Sequence, residues 1–160
     1  MADIPAGFAP LRLSMGLLEA VGPLYGKWAN DRLVLGFRVE MRHCNPGQVA
    51  HGGMLATFAD MLLPIAARFQ SKMEMGFLPT VYLTCDYLAP APLGAWVEGR
   101  ADPVKTTRNL LFAQGLATAD SEPVMRANGI FKITSAGSAK AGDFTFDVLF
   151  GGNQSPAVPS

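Results

Sequence analysis

The pattern of apolar and polar positions predicts one long helix followed by four strands. From residue 52 to residue 71 nearly every position is apolar, which is typical of a helix that is buried on all sides. The later segments are short and rich in strand-forming residues, at 80–88, 95–104, 108–119 and 124–134. Because short turns connect them, these strands are predicted to be antiparallel neighbours.

The segment before the long helix predicts a hairpin and a further helix. The turn pair Asn30-Asp31 lies between residues 24–29 and residues 32–41. In the second segment buried and exposed positions are predicted to alternate, as in a half-buried strand. Apolar residues between positions 7 and 21 have the spacing of a short amphipathic helix. We therefore expect residues 1–22 to form an N-terminal helical segment.

The C-terminal part of the chain differs in composition from the rest. From residue 135 onward Gly, Ser, Ala and Pro dominate, and residues 137–160 are predicted to be a mobile tail with one apolar patch at 144–150. The remaining residues, 1–136, suit a single α+β domain in which one long helix faces an antiparallel sheet of about five or six strands. Dimerisation that continues the sheet would cover an otherwise unpaired edge strand.

Composition excludes several classes of protein. The 160 residues carry 13 basic and 13 acidic side chains, so the formal net charge is zero. The basic excess that is typical of nucleic-acid-binding proteins is therefore absent from the composition. Cys44 and Cys85 have no Cys-x-x-Cys partner, so neither a disulfide framework nor a metal site is expected. The chain shows no signal-peptide pattern and no apolar run of about 18 residues, which favours a cytoplasmic protein without a membrane partner.

The candidate chemistry lies at the start of the long helix and within it. Paired Gly52 and Gly53 let a ligand approach the backbone closely, and the free N–H groups at a helix start favour an anion or an oxyanion. Asp60 stands in an apolar run, where a carboxylate is costly unless it is functional or paired. The alternatives are an ordinary helix cap for the glycines and a solvent-facing side chain for Asp60. Pro64 predicts a kink just beyond Asp60, because proline cannot donate to the Asp60 carbonyl.

Together these residues resemble the acyl-CoA thioesterases of the hotdog fold, the group that includes phenylacetyl-CoA-type thioesterases. The resemblance rests on Asn45, His51-Gly52-Gly53 and Asp60, and it extends through the Tyr-Leu-Ala-Pro segment at 87–90 to about residue 133. It implies a curved sheet wrapped around the helix, a homodimer or homotetramer, and an active site shared between two subunits.

The resemblance also implies a role for each residue. The Gly52 N–H would bind the thioester oxygen and so polarise the carbonyl group. Asp60 would attack the carbonyl carbon or activate water to do so. Asn45 would orient the water or the carbonyl, His51 would hold the thiol leaving group or position the loop, and Thr80 would contact the water or the carboxylate. Two further residues would contact the substrate: Gly53, and Arg108 at the phosphates of coenzyme A. Coenzyme A is part of the substrate, so no separate cofactor is expected.

Each assignment has a structural alternative, and the function has a second hypothesis. Asn45 precedes proline and suits a turn, His51 could be purely structural, and Arg108 could be solvated surface. A non-catalytic acyl-CoA binding or sensing protein could have the same fold, although it would not need both Asp60 and Asn45. A hydratase is disfavoured, because the Asp-then-His order of hydratases is reversed here. The acyl group, and whether Asp60 attacks directly or through water, stay open.

Overall fold

One helix and one sheet dominate the computed structural model, which describes residues 3–12, 16–71, 76–134 and 150. The main helix, α2, spans Gly52–Gln70, and a short helix, α1, spans Leu17–Val21. The strands are β1 Ala9–Pro10, β2 Tyr25–Ala29, β3 Arg32–Arg38, β4 Thr80–Tyr87, β5 Trp96–Thr106, β6 Leu110–Ala119 and β7 Glu122–Lys132.

The strands of the described residues form one antiparallel sheet in the order β1-β2-β3-β5-β6-β7-β4. Helix α2 packs across this sheet and touches every strand from β3 to β7. The strand that follows α2 in sequence, β4, pairs only with β7 and therefore forms one edge of the sheet. The predicted α+β architecture is confirmed, with a seven-stranded sheet in place of the five or six strands expected.

The strand predictions are confirmed with small changes at their ends. The hairpin is β2–β3, and its turn residues Asn30 and Asp31 both have positive φ, of 52° and 58°, as a tight hairpin turn requires. Strand β6 begins at Leu110 because the hydroxyl of Thr107 accepts hydrogen bonds from the N–H groups of Asn109 and Leu110 and holds the turn.

The prediction of one helix over residues 7–21 was wrong. Ala9 and Pro10 instead pair with β2, and the helix covers only Leu17–Val21. Pro10 has no N–H and disfavours a helical conformation at the preceding residue, which explains the strand. Gly16, with φ of 57°, then stands at the start of the short helix.

The prediction that α2 is buried on all sides was also wrong. The side that faces the sheet is buried, from Met54 to Ala67. The opposite side remains partly or fully exposed, and we call it the open stripe; it consists of Gly53, Ala56, Thr57, Asp60, Met61, Pro64 and Arg68. The physical reason is that the sheet of one chain covers only one side of the helix.

Most of the predicted mobile tail lies outside the described residues, so that prediction stays a prediction. Phe150 is the one described residue of this segment, and its side chain is fully buried. It packs on Gly26 of β2, where a Cβ atom would lie only 2.6 Å from Phe150 Cζ. This residue of the apolar patch therefore belongs to the core.

A buried histidine joins three segments ahead of α2. His43 Nδ1 accepts a hydrogen bond from the Glu40 N–H at 2.9 Å, and its Nε2 donates to the Val21 carbonyl at 2.9 Å. The ring is therefore held neutral with its proton on Nε2. Its backbone carbonyl accepts from the His51 N–H, which anchors the start of α2. Burial lowers the pKa of His43 below the usual 6.5.

This pKa shift predicts loss of stability in mild acid. Below pH 6.5 the unfolded chain binds a proton at residue 43 before the folded chain does, so the free energy of unfolding falls as pH falls. We expect urea unfolding between about pH 7.5 and about pH 5.5 to show this decline, and His43→Gln to flatten it. An equal pH dependence in wild type and His43→Gln would contradict the assignment.

Candidate active site

A carboxylate on the open stripe of α2 is held by a hydroxyl from the edge strand. Asp60 lies near the middle of the helix, and Thr80 is the first residue of β4. The Thr80 hydroxyl donates a hydrogen bond to Asp60 Oδ1 at 2.6 Å. The structure therefore brings together two of the residues that the sequence singled out. We call this pair the Asp60 half-site.

A second group of residues surrounds the first turn of α2. His51 is the N-cap, and its Nδ1 accepts a hydrogen bond from the Gly53 N–H at 2.8 Å. A Cβ atom at Gly53 would lie 3.0 Å from this nitrogen, so glycine leaves room for the cap. The Gly52 N–H makes no hydrogen bond to another described residue. It is thus the donor available to a ligand at the positive end of the helix dipole.

The sequence reasoning gave no role to Tyr87, although it belongs to the Tyr-Leu-Ala-Pro segment. Its hydroxyl donates to the Gly52 carbonyl at 3.0 Å and ties the end of β4 to the helix start. The Tyr87 pKa is raised by burial and by the neighbouring Cys85, so the phenol stays protonated and donating at neutral pH. His51, Gly52 and Tyr87 together form what we call the N-terminal half-site.

Asn45 and Arg108 make their contacts outside these two groups. The Asn45 side chain accepts a hydrogen bond from the Gly47 N–H at 2.9 Å, which is the turn arrangement expected of asparagine before proline. Arg108 is exposed in the turn between β5 and β6. Among the described residues, neither side chain makes a hydrogen bond or an ion pair with Asp60, Thr80 or the helix start.

The two half-sites of one chain are too far apart to act on one bond. Gly52 and Asp60 are eight residues apart on a continuous helix, which places them about 12 Å apart along its axis. Groups that act on the same carbonyl must each lie within about 3 Å of it. Each chain therefore presents two half-sites, and neither completes the other within that chain.

A cavity of about 140 Å³ opens beside Asp60. Its walls come from the open stripe of α2 and from the segment that leads into β4, and they are mainly apolar, as in most ligand pockets. The helix continues through Pro64, which lies in this wall. The lining residues are Asp60, Met61, Pro64, Ile65, Arg68, Gly76, Phe77, Leu78 and Thr80.

The half-buried Cys85 lies near Asp60 but does not have the properties of a nucleophile. Burial raises the pKa of its thiol, and the negative charges of Asp86 and Asp60 raise it further. A neutral thiol is a poor nucleophile, so Cys85 is a packing residue. In the described part of the chain no three potential metal-ligating side chains cluster. None of the described helices has both the length and the apolar character that crossing a bilayer requires.

Comparison with known proteins identifies the family. The family model of the thioesterase superfamily matches residues 47–125. A Pseudomonas aeruginosa protein whose name classes it provisionally as an esterase is 34% identical over 134 residues, which cover 83% of this chain and 99% of that protein.

Solved structures give the same result for the fold. A variant of the phenylacetic acid degradation protein PaaI from Thermus thermophilus is 26% identical, with a TM-score of 0.60 over 72% of this chain and 96% of that one. A hypothetical thioesterase protein from Streptococcus pneumoniae, solved with coenzyme A, is 19% identical, with a TM-score of 0.60 over 70% and 89% of the two chains. The chain has the hotdog fold and belongs to the thioesterase superfamily.

Proposed function

We propose that this protein is an acyl-CoA thioesterase, which hydrolyses a thioester to a free acid and coenzyme A. The observation that carries the proposal is the Asp60 carboxylate, held by Thr80 at 2.6 Å beside a mainly apolar cavity. This arrangement offers a positioned acid–base or nucleophilic group next to a space for an acyl chain. The coenzyme A in the Streptococcus pneumoniae protein supports the same class of ligand.

In the proposed reaction the Gly52 N–H donates to the thioester oxygen, and the helix dipole stabilises the negative charge that develops there. Asp60 takes a proton from a water molecule, whose oxygen bonds to the carbonyl carbon. The carbon–sulfur bond then breaks, and the proton passes to the departing sulfur. In the alternative route a carboxylate oxygen of Asp60 attacks first, and water hydrolyses the resulting anhydride.

The remaining candidates take supporting roles in this proposal. Asn45 orients the water or the carbonyl, and His51 both caps α2 and contacts the leaving sulfur. Gly53 acts by leaving room for the His51 cap, since its own N–H is already bound. Arg108, whose side chain is exposed, contacts the phosphates of coenzyme A through charged hydrogen bonds.

We propose further that two subunits build each active site. Because Gly52 and Asp60 lie about 12 Å apart along one helix, the proposal takes the donor from the second chain. The edge strand β4 carries exposed apolar side chains that pairing would cover, with Val81 60%, Tyr82 54% and Leu88, just after the strand, 53% exposed. A homodimer that brings the two edges together would place Asp60 of one chain near Gly52 of the partner subunit.

Asp60→Asn should lower kcat at least about 10²-fold while acyl-CoA still binds, because the variant keeps the side chain's size but loses its basicity. Steady-state kinetics and calorimetric titration with the same acyl-CoA measure the two effects. Asp86→Asn, at an exposed carboxylate of β4 that pairs with Arg126 of the neighbouring strand β7, is the matched control. Turnover within about twofold of wild type in folded Asp60→Asn would refute the role. Wild type that binds acyl-CoA without turnover would favour the binding-protein hypothesis.

Mixing two inactive variants should restore activity if the site is shared. Gly52→Pro removes the N–H at a helix position where proline is well tolerated, and His51, with φ of −58° and ψ of 139°, has a conformation compatible with a following proline. Gly52→Ala keeps the N–H, and its Cβ would meet Tyr87 at an ordinary 3.4 Å, so it is the matched control.

A heterodimer of Gly52→Pro and Asp60→Asn contains one intact site, built from the unaltered Asp60 and Gly52 of different chains. We expect activity to appear after the two variants are mixed and their subunits exchange, and light scattering to show at least a dimer. Absence of recovery despite verified exchange would contradict a shared site, as would an active monomer of 17.0 kDa.

Pro64→Ala should stabilise the fold and change the acyl preference. Alanine restores an N–H that can bond the Asp60 carbonyl, and it removes the proline ring from the cavity wall. Thermal unfolding and a panel of aryl, short and long acyl-CoAs test the two effects. An unchanged acyl profile with a higher melting temperature would show that Pro64 affects stability alone.

A further inference from the structure

The cavity beside Asp60 contains a second charged side chain, at Arg68. Arg68 follows Asp60 by eight residues on the open stripe, so it lies about 12 Å further along the helix axis, with Pro64 between them. The guanidinium lies against the Gly76 carbonyl, which lines the same cavity. The cavity thus has a carboxylate at one end, a guanidinium at the other, and apolar walls between them.

The guanidinium of Arg68 is only partly satisfied by the described residues. One of its nitrogens donates to the Gly76 carbonyl at 3.0 Å. It makes no ion pair with any carboxylate in the described ranges, although a guanidinium has five N–H donors. Burial lowers the pKa of Arg68, which means that its surroundings disfavour an uncompensated charge.

A purely structural role would account for only part of this arrangement. Arg68 lies in the last turn of α2, where any cation is favoured by the helix dipole. That role needs a positive charge but no particular geometry. It does not require the side chain to line the cavity that holds Asp60, and a lysine would fulfil it equally well.

We infer that Arg68 binds a carboxylate at the far end of the acyl group, so that the preferred substrates are coenzyme A thioesters of dicarboxylic acids. This inference rests on the proposed thioesterase activity and specifies its substrate class. The planar fork of arginine matches a carboxylate with two parallel hydrogen bonds. Met61, Ile65 and Phe77 offer apolar contacts for the methylene groups between the two ends.

The opposite charges at the two ends also set the orientation of the substrate. A terminal carboxylate would be repelled by Asp60 and attracted by Arg68, so the thioester end must lie at Asp60. An acyl chain with a terminal methyl group would gain the same apolar contacts but would leave the guanidinium without an anion. The fixed separation along the helix therefore favours an acyl group of intermediate length.

Adipoyl-CoA and hexanoyl-CoA test the inference, because they have equal carbon number and differ only in the terminal group. We expect kcat/KM of the wild type to be about 10- to 100-fold higher for adipoyl-CoA, the range expected for charged hydrogen bonds. Arg68→Met should abolish this preference while hexanoyl-CoA is still hydrolysed. Arg68→Lys keeps the charge at the helix end and should retain only part of the preference. Arg12→Met, at an exposed arginine outside the cavity, is the control.

An equal or greater wild-type rate with hexanoyl-CoA would overturn the inference and leave the thioesterase proposal standing. An unchanged preference in folded Arg68→Met would overturn it as well. If neither compound is hydrolysed, calorimetric titration of both into Asp60→Asn, with and without Arg68→Met, still decides the role of Arg68. Tighter binding of adipoyl-CoA that depends on Arg68 would support it, and equal binding of the two would refute it.

Discussion

The close approach of α2 to the sheet is the contact on which the rest of the structure depends. Leu62 and Leu63 pack where three neighbouring strands carry glycine. A Cβ atom at Gly99 would lie 2.4 Å from Leu62 Cδ2, and one at Gly115 would lie 2.9 Å from Leu63 Cδ2. Larger residues there would lift the helix off the sheet or force the core to repack. Because this seating fixes the rotation of the helix about its axis, it also fixes which residues face away from the sheet.

The open stripe follows directly from that rotation. With the leucines turned toward the sheet, Asp60 faces away from it, and among the described strands β4, at the sheet edge, supplies the side chain that contacts it. The hydrogen bond from Thr80 is therefore a consequence of topology, because β4, the strand that follows α2, lies beyond β7 at the edge of the sheet. The same topology brings Tyr87, at the other end of β4, to the start of the helix. One edge strand thus positions both half-sites.

Sequence reasoning succeeded where local pattern decides structure and failed where distant contacts do. The run of apolar residues predicted α2 to within a residue, and the isolated carboxylate within that run drew attention to Asp60, which the structure pairs with Thr80. The prediction of a helix over residues 7–21 failed because it relied on the spacing of apolar residues and gave too little weight to Pro10, which interrupts a helix at that point. Burial of α2 on all sides was overestimated because hydrophobicity does not reveal how far one sheet reaches around a helix. The bond from Tyr87 to Gly52 joins residues 35 positions apart, and no short-range pattern signals it.

Helix α2 separates the residues that stabilise the fold from those that would act on a substrate. The buried side supplies the apolar contacts with the sheet, while the open stripe carries the charged and polar groups. The charged side chains of the open stripe lie outside the buried contact between α2 and the sheet. Their charges therefore do not weaken that contact. The helix rise sets the spacing of the backbone positions that carry Asp60 and Arg68 at about 12 Å. A substrate that contacts both side chains, as we propose, would have to match this spacing, because the helix cannot shorten it without disturbing the contact between the leucines and the glycines.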